Sequence, residues 1–341
     1  MKELFSETDR KIVVIGGGTG SFTLLSALKY HSSHLVAIVN MVDDGGSTGI
    51  LRDELGALPP GDVRQCLVAL SNSPKIRDLF NYRFREGTFQ GHAMGNILLS
   101  ALEKMTGNFT EAVETASEIL NVRGTVVPAT LDDVRLKMEW PNATITLHGE
   151  REIDANYFRN DPRVATLSLE PEAVANPLAI KSIKEANMIV VAPGDLYTSL
   201  GPLLIIKEIR EALAETDARI MYVANLVTKR GQTDGFRVSD HASEIERFIG
   251  KPVLDYVLYN EQVPTEKLAN KYRETEGAFV VDVDKDTLDA NHYKSIGGNF
   301  LGAIVEPHTA KEASKVTRSY IRHDPDAVAD AIIKLYDELH R

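Results

Sequence analysis

The sequence predicts an α/β fold: a doubly wound, mostly parallel sheet with helices on both faces and a small antiparallel hairpin inserted into it. Three observations carry this. The runs KIVVIG from Lys11, LVAIVNMV from Leu35, MIVVA from Met188 and ARIMYVAN from Ala218 are almost continuously apolar, as strands buried on both faces of a parallel sheet must be. Between them stand segments of helical period that can serve as crossovers. Each run ends in a polar, glycine-bearing loop, and in an open parallel sheet those loops gather at one edge.

The first unit, KIVVIGGGTGSFTLLSALKY, reads as a strand, a glycine turn and a helix with Phe22, Leu24, Leu25 and Leu28 on its apolar side. The run from Leu35 is the second strand, and DDGGSTG after it reads as a loop. Past ALPPGD a helix is expected over Val63 to Asn72, with Asp62 as its N-cap, and another over Ala93 to Met105. From Val134 to His148 the texture changes: VRLKMEW and ATITLH alternate about Pro141-Asn142, which predicts an antiparallel hairpin with one wet face, inside an inserted region of about 126–170. Parallel signals return with MIVVA, a helix around Leu203 to Ala214, and the strand from Ala218. A helix from Ser239 to Ile249, the strand-like PVLDYVLYN and FVVDVD, and a helix from Asp326 to His340 follow. Asn291 to Thr317, broken by GGN and Pro307, resists assignment. No repeat or linker divides the chain, so residues 1–341 read as one doubly wound domain with the smaller region inserted.

Composition narrows the function. The 341 residues carry 38 Lys and Arg against 49 Asp and Glu, a net charge of −11, so no general basic field exists to hold nucleic acid. The longest apolar runs fall short of a membrane span. A lone Cys66 forms no internal disulfide, and MKELFSETDR carries no apolar segment after its charges, which makes the cytoplasm the expected compartment.

The loops hold the chemistry. Gly16 to Ser21 brings bare backbone close to a ligand at a helix start, which suits phosphate; a plain strand-to-helix turn is the alternative. Gly16, Gly18 and Ser21 nearly match GxGxxG, but the third glycine is missing, and no Lys follows as in a Walker loop. In the second loop, after Asn40, Asp43 and Asp44 precede Gly45, Gly46, Ser47 and Thr48. Asp43 lies 25 positions beyond Gly18, near the roughly 20-residue offset of a ribose-binding acid. The pair could equally hold Mg²⁺ against a diphosphate, take a proton, or cap the next helix. Arg52 and Arg64 are candidate phosphate clamps. Gly194, Thr198 and Ser199 offer donors for a second anionic group or an ordinary N-cap. Asn225, Thr228, Gln232, Thr233 and Asp234 add groups suited to a sugar or base edge. His92 and His241 have no ligand spacing around them, so zinc is not expected.

Taken together, GGGTGSFTLLSALK, VNMVDDGGSTGILR, LPPGDVRQCL, GHAMGNILLSAL, VVAPGDLYTSLGPLL and NLVTKRGQTDGF resemble the family that joins 2-phospho-L-lactate transferase to the bacterial gluconeogenesis factors of the YvcK type. DDGGSTGILR, PPGDVR and GHAMGN resemble the gluconeogenesis-factor branch in particular. The resemblance implies a Rossmann-like domain holding a nucleoside diphosphate. In the transferase branch a phospholactyl group passes from a guanosine diphosphate adduct to a deazaflavin alcohol with Mg²⁺ assisting. The other branch is associated with uridine diphosphate sugars, gluconeogenic growth and cell shape, with no defined reaction. It further implies Gly17, Gly18, Thr19 and Gly20 as the first phosphate loop, Asp43 and Asp44 as the acid or metal pair, and Gly194 and Ser199 as the second donor loop. No segment is assigned to a deazaflavin pocket. The expectation is a nucleotide-sugar-binding regulator with protein partners in cell-envelope control, either monomeric or a homo-oligomer. A Mg²⁺-dependent phospholactyl transferase is the alternative, and an NAD(P) oxidoreductase, with Asp43 on a ribose, a third reading.

Overall fold

The computed structural model describes residues 10–141, 145–302 and 321–340. The first half runs β1 (Lys11–Gly16), α1 (Gly18–Leu28), β2 (His34–Val39), α2 (Gly46–Leu55), α3 (Gly61–Leu70), α4 (Pro74–Asn81), α5 (Met94–Thr106), α6 (Phe109–Leu120) and β3 (Thr125–Pro128). An insertion follows, with β4 (Arg135–Glu139), β5 (Thr146–His148), α7 (Gly149–Ala155) and β6 (Thr166–Glu170). The second half runs α8 (Pro177–Glu185), β7 (Met188–Val191), a π turn Leu196–Leu200 leading into α9 (Gly201–Leu204), α10 (Lys207–Glu215), β8 (Arg219–Val223), α11 (Val238–Ile249) and β9 (Tyr256–Asn260). It ends with α12 (Glu266–Glu276), α13 (Lys285–Asp289), β10 (Lys294–Gly298) and α14 (Pro325–Leu339).

Seven strands form one sheet in the order β10-β9-β8-β7-β1-β2-β3, and every neighbouring pair is parallel. The order reverses between β1 and β7, the switch point of a Rossmann-like fold. Alternate residues of each central strand feed opposite layers. Ile12 and Val14 join Leu24, Leu67, Leu99 and Ile332 on one face, while Val13 and Ile15 join Leu203, Ile209, Ile245 and the insertion's Trp140 on the other. Each such fully buried aliphatic side chain is worth roughly 1.5–3 kcal/mol, so both faces hold the sheet flat against its helices. No helix among the described residues is long and apolar enough to cross a membrane.

Several expectations change. The segment DDGGSTG is only partly loop: α2 begins at Gly46, with Leu51 buried and Gly56 in the left-handed conformation (φ 59°) closing it. Helix α3 starts at Gly61 with Pro60 as its N-cap, so Asp62 sits in the first turn and does not cap it. FVVDVD makes only isolated bridges, Val280 to Val227 and Asp282 to Arg237. The helix expected from Leu203 is divided at Ile205–Ile206 between α9 and α10. The hairpin forms with Met138 opposite Leu147 and Glu139 opposite Thr146; β6 joins its other edge to make a three-stranded antiparallel sheet. Because Thr125–Pro128 belongs to the main sheet, the excursion starts after Pro128. Within the unassigned stretch, Lys294–Gly298 is an edge strand parallel to β9, and residues 303–317 lie outside the described residues.

Candidate functional site

The switch point opens a crevice between the carboxyl ends of β1 and β7. Gly18 turns the chain into α1 at φ +63°, a backbone conformation that favours glycine. Gly20 lets the first turn of α1 lie on the exit of β7, since a Cβ there would fall 1.7 Å from the carbonyl oxygen of Pro193. The close helix–strand contact made by the third glycine of the dinucleotide fingerprint is thus made here by Gly20, one position before Ser21. The N-cap residue of α1, Gly17, has no side chain with which to cap the helix. Its Gly18 N–H donates to Asp62 Oδ1 at 2.9 Å.

A cavity of about 700 Å³ extends from this turn across the ends of β7 and β8. Its wall includes Gly17, Gly18, Thr19, Gly20, Gly194, Ser199, Asn225 and Thr228, so eight of the candidate residues from three separate loops meet in one cleft. Two of them have work to do within the protein. Asn225 donates from Nδ2 to Gly194 O at 2.8 Å and accepts Gly194 N–H at 3.2 Å, clamping one loop to the other. Thr228 Oγ accepts Phe279 N–H at 3.0 Å.

The remaining candidates lie around the cleft rather than in its wall. Asn40 is buried and donates to Thr198 O at 3.3 Å, tying the end of β2 to the π turn, while Thr198 Oγ donates to Asp154 Oδ1 at 3.2 Å. Ser47 is buried against His92 Nδ1 at 3.0 Å and receives Asn96 Nδ2 at 3.3 Å; Thr48 is buried beside it. Arg52, expected as a phosphate clamp, is buried against the insertion, where its guanidinium donates to Asp133 Oδ1 at 2.8 Å and also to Val134 O. Arg64 is likewise held by Asn96 at 2.8 Å and Asn81 at 2.7 Å. Both guanidinium groups bind parts of the fold.

The two adjacent aspartates part company. Asp44 Oδ1 accepts Arg151 N–H at 2.8 Å at the start of α7, its carbonyl accepts Arg151 Nη2 at 3.1 Å, and Arg135 stands 3.7 Å from Oδ2. It caps a helix, as the plainer reading of the pair allowed, but the helix is the insertion's, not the next in sequence. Asp43 faces the other way, toward Asp62 and Glu150. Burial, then the charge of Asp43, pushes Asp62 up to about 7. Burial, then Asp43 and Asp62, pushes Glu150 up to about 10. Three acids therefore crowd together beside the glycine turn. Among the described residues, no three His, Cys, Asp or Glu side chains are arranged as a metal cage. That arrangement is compatible with Mg²⁺, which is usually held by one or two carboxylates plus substrate phosphates.

The insertion builds the facing wall. Phe158 N–H bonds Gly231 O at 2.7 Å, and the Arg230 guanidinium lies 5.0 Å above the Tyr157 ring. Lys229 reaches Asp195 at 2.8 Å and Asp154 at 3.3 Å. Burial works against its charge, but the two carboxylates more than offset this and hold the ammonium above its ordinary range. Sequence reasoning missed Asp62, Glu150, Asp154, Asp195, Lys229 and Arg230 as site residues. Asp62, Asp195, Lys229 and Arg230 stood inside PPGDVR, APGDLYTS and TKRGQTDG and could have been noticed there. Glu150 and Asp154 carry no local signal at all.

Comparison with known proteins agrees with this architecture. The profile of the 2-phospho-L-lactate transferase CofD family matches residues 12–301. A gluconeogenesis factor of Listeria innocua is 37% identical over 333 residues, covering 96% of this chain and 96% of that one. A protein of Clostridium acetobutylicum, provisionally given the same name, is 40% identical over 326 residues, 95% of this chain and 69% of its own length. The crystal structure of protein BH3568 from Bacillus halodurans superposes with a TM-score of 0.84 at 34% identity, covering 96% of this chain and all of that one. The chain is a member of the 2-phospho-L-lactate transferase CofD family, similar over nearly its whole length to the proteins of that family named gluconeogenesis factors.

Proposed function

We propose that the cleft binds a nucleoside diphosphate, specifically a uridine diphosphate sugar, and that the protein is a cytoplasmic regulator of growth on gluconeogenic carbon sources and of cell shape. The observation that carries this is the joining of Gly17–Gly20 at the start of α1 with the Gly194–Ser199 and Asn225–Arg230 loops in one 700 Å³ cavity. A helix N-terminus reached by bare glycine backbone suits a diphosphate. The farther wall, with Tyr157, Tyr272 and uncharged loop groups, suits a nucleoside and sugar. The volume lies within the range of small-molecule sites. Lys229, and Arg230 over Tyr157, supply positive charge beside the diphosphate. The relatives' names supply the gluconeogenic role.

Asp43 and Asp62 are the carboxylates that would hold Mg²⁺, in place of the pair Asp43 and Asp44. They fit because both are packed beside the glycine turns: a Cβ on Gly61 would lie 2.4 Å from Asp43 Oδ2, and one on Gly17 would lie 2.1 Å from Asp62 Oδ2. The ion would neutralise the crowded acids and the diphosphate together. Calorimetry with uridine diphosphate N-acetylglucosamine, with and without MgCl₂, tests the reading. Saturable binding is expected, weakened about ten-fold by Lys229→Met through loss of one charge-assisted contact. No binding of any nucleotide sugar refutes it.

The second reading, a phospholactyl transferase, is favoured by the family's name and by the same acid cluster. Under it, Asp43 and Asp62 would hold the ion that stabilises charge on the leaving nucleotide. Incubation with guanosine diphosphate lactate, deazaflavin alcohol and MgCl₂ separates the two, because release of GMP requires turnover.

A further inference from the structure

We infer that His323 fixes which way the ligand lies: its Nε2 accepts a hydrogen bond from an N–H or O–H of the nucleoside or sugar, leaving the diphosphate for Gly17–Gly20. This rests on the nucleotide reading above. His323 is held on both sides, since Gly302 N–H bonds Arg322 O at 2.7 Å and Asp324 N–H bonds Phe300 O at 2.7 Å. The residue is only 8% exposed yet belongs to the cleft wall. One ring nitrogen donates to the Ala224 carbonyl just past β8. The other, Nε2, is buried without a hydrogen-bond partner among the described residues.

Because the Ala224 carbonyl accepts a proton-bearing nitrogen, the neutral ring carries its proton on Nδ1, and Nε2 is a lone-pair acceptor. Burial keeps the ring neutral, with its pKa lowered to about 4. An acceptor buried in a cavity wall has lost its water and gained nothing in exchange, the situation a bound donor would relieve. Two other polar side chains of the wall are already engaged within the protein, Asn225 with Gly194 and Thr228 with Phe279. An ionised diphosphate has no proton to give and its oxygens are repelled by a lone pair. Sugar hydroxyls and base N–H groups do have one. Electrostatics therefore separates the two ends of the cleft: backbone N–H donors at α1 for the phosphates, and an acceptor beyond β8 for the donor-bearing end.

The test uses the whole protein labelled with ¹⁵N-histidine, observed with uridine diphosphate N-acetylglucosamine and separately with inorganic pyrophosphate. The His323 Nε2 resonance is expected at an unprotonated position. It should move upfield with the nucleotide sugar and stay still with pyrophosphate. His323→Phe is expected to weaken the nucleotide sugar about ten-fold, the loss of one buried hydrogen bond, while leaving pyrophosphate within about two-fold. If the nucleotide sugar binds without moving Nε2, as a bound water alone would leave it, or if pyrophosphate moves it equally, the inference fails and the nucleotide reading stands. If the native protein binds no nucleotide sugar, both fail. Should the variant not fold, the spectra of the native protein decide the matter.

Discussion

Asp62→Asn tests the acid cluster most directly, because asparagine keeps the shape and the Oδ1 acceptor for Gly18 N–H while removing the charge. Burial and Asp43 raise this carboxyl from 3.8 to about 7 in the folded protein. The folded state therefore holds the proton more tightly than the unfolded chain. The stability this contributes is fully present below pH 3.8 and is lost as pH rises through about 7. At pH 8 the folded protein then bears a penalty of up to about 4 kcal/mol, of which asparagine should recover roughly 2–3, since the buried amide carries a smaller desolvation cost of its own. Urea unfolding without divalent cations should show the variant more stable than the native protein at pH 8, with the gap reduced to about a third at pH 5. A gap of the same size at both values, or a variant less stable at pH 8, would show that these carboxyls are not crowded as described.

Three other substitutions probe the surroundings. Gly20→Ala sets a Cβ 1.7 Å from Pro193 O, backbone that has little room to retreat, and should cost about 3 kcal/mol or more, visible as a lowered melting temperature; a native-like melt would mean α1 does not press on β7. Arg52→Met leaves Val134 O without its buried donor and should cost about 1–3 kcal/mol in urea unfolding. Weaker nucleotide binding at unchanged stability would instead return Arg52 to the ligand. Asp44→Ala uncaps α7 and should cost about 1–2 kcal/mol, with faster proteolysis between residues 145 and 158; unaltered proteolysis would deny it the capping role.

The sheet was legible because parallel strands covered on both faces cannot alternate, and the runs from Lys11, Leu35, Met188 and Ala218 do not. The loop set was legible for a related reason: in a parallel sheet every strand must deliver its loop to the same edge, so glycine and hydroxyl residues after successive strands meet without further information. Individual roles were less visible. Asp43 and Asp44 are indistinguishable as letters, but neighbours in an extended stretch point to opposite sides, so one reaches Asp62 and the other a helix more than a hundred residues on. Arg52 finds Asp133 across 81 positions, a pairing no local window contains.

The same reasoning explains why half of the site escaped notice. The Rossmann-like core brings glycine backbone and helix N–H groups to the switch point, and those features repeat wherever such folds hold phosphate. Glu150, Asp154 and Tyr157 arrive from the insertion, whose own sequence predicts only a hairpin with a wet face. What makes them site residues is docking. Asp44 holds the start of α7, Thr198 and Lys229 hold Asp154, and Gly231 holds Phe158, all through core residues at the ends of β2, β7 and β8. The core's loops therefore position both the ligand's anchor and the wall that faces it. A substitution in the latch, far from any phosphate, should loosen the cleft without touching the glycine turn.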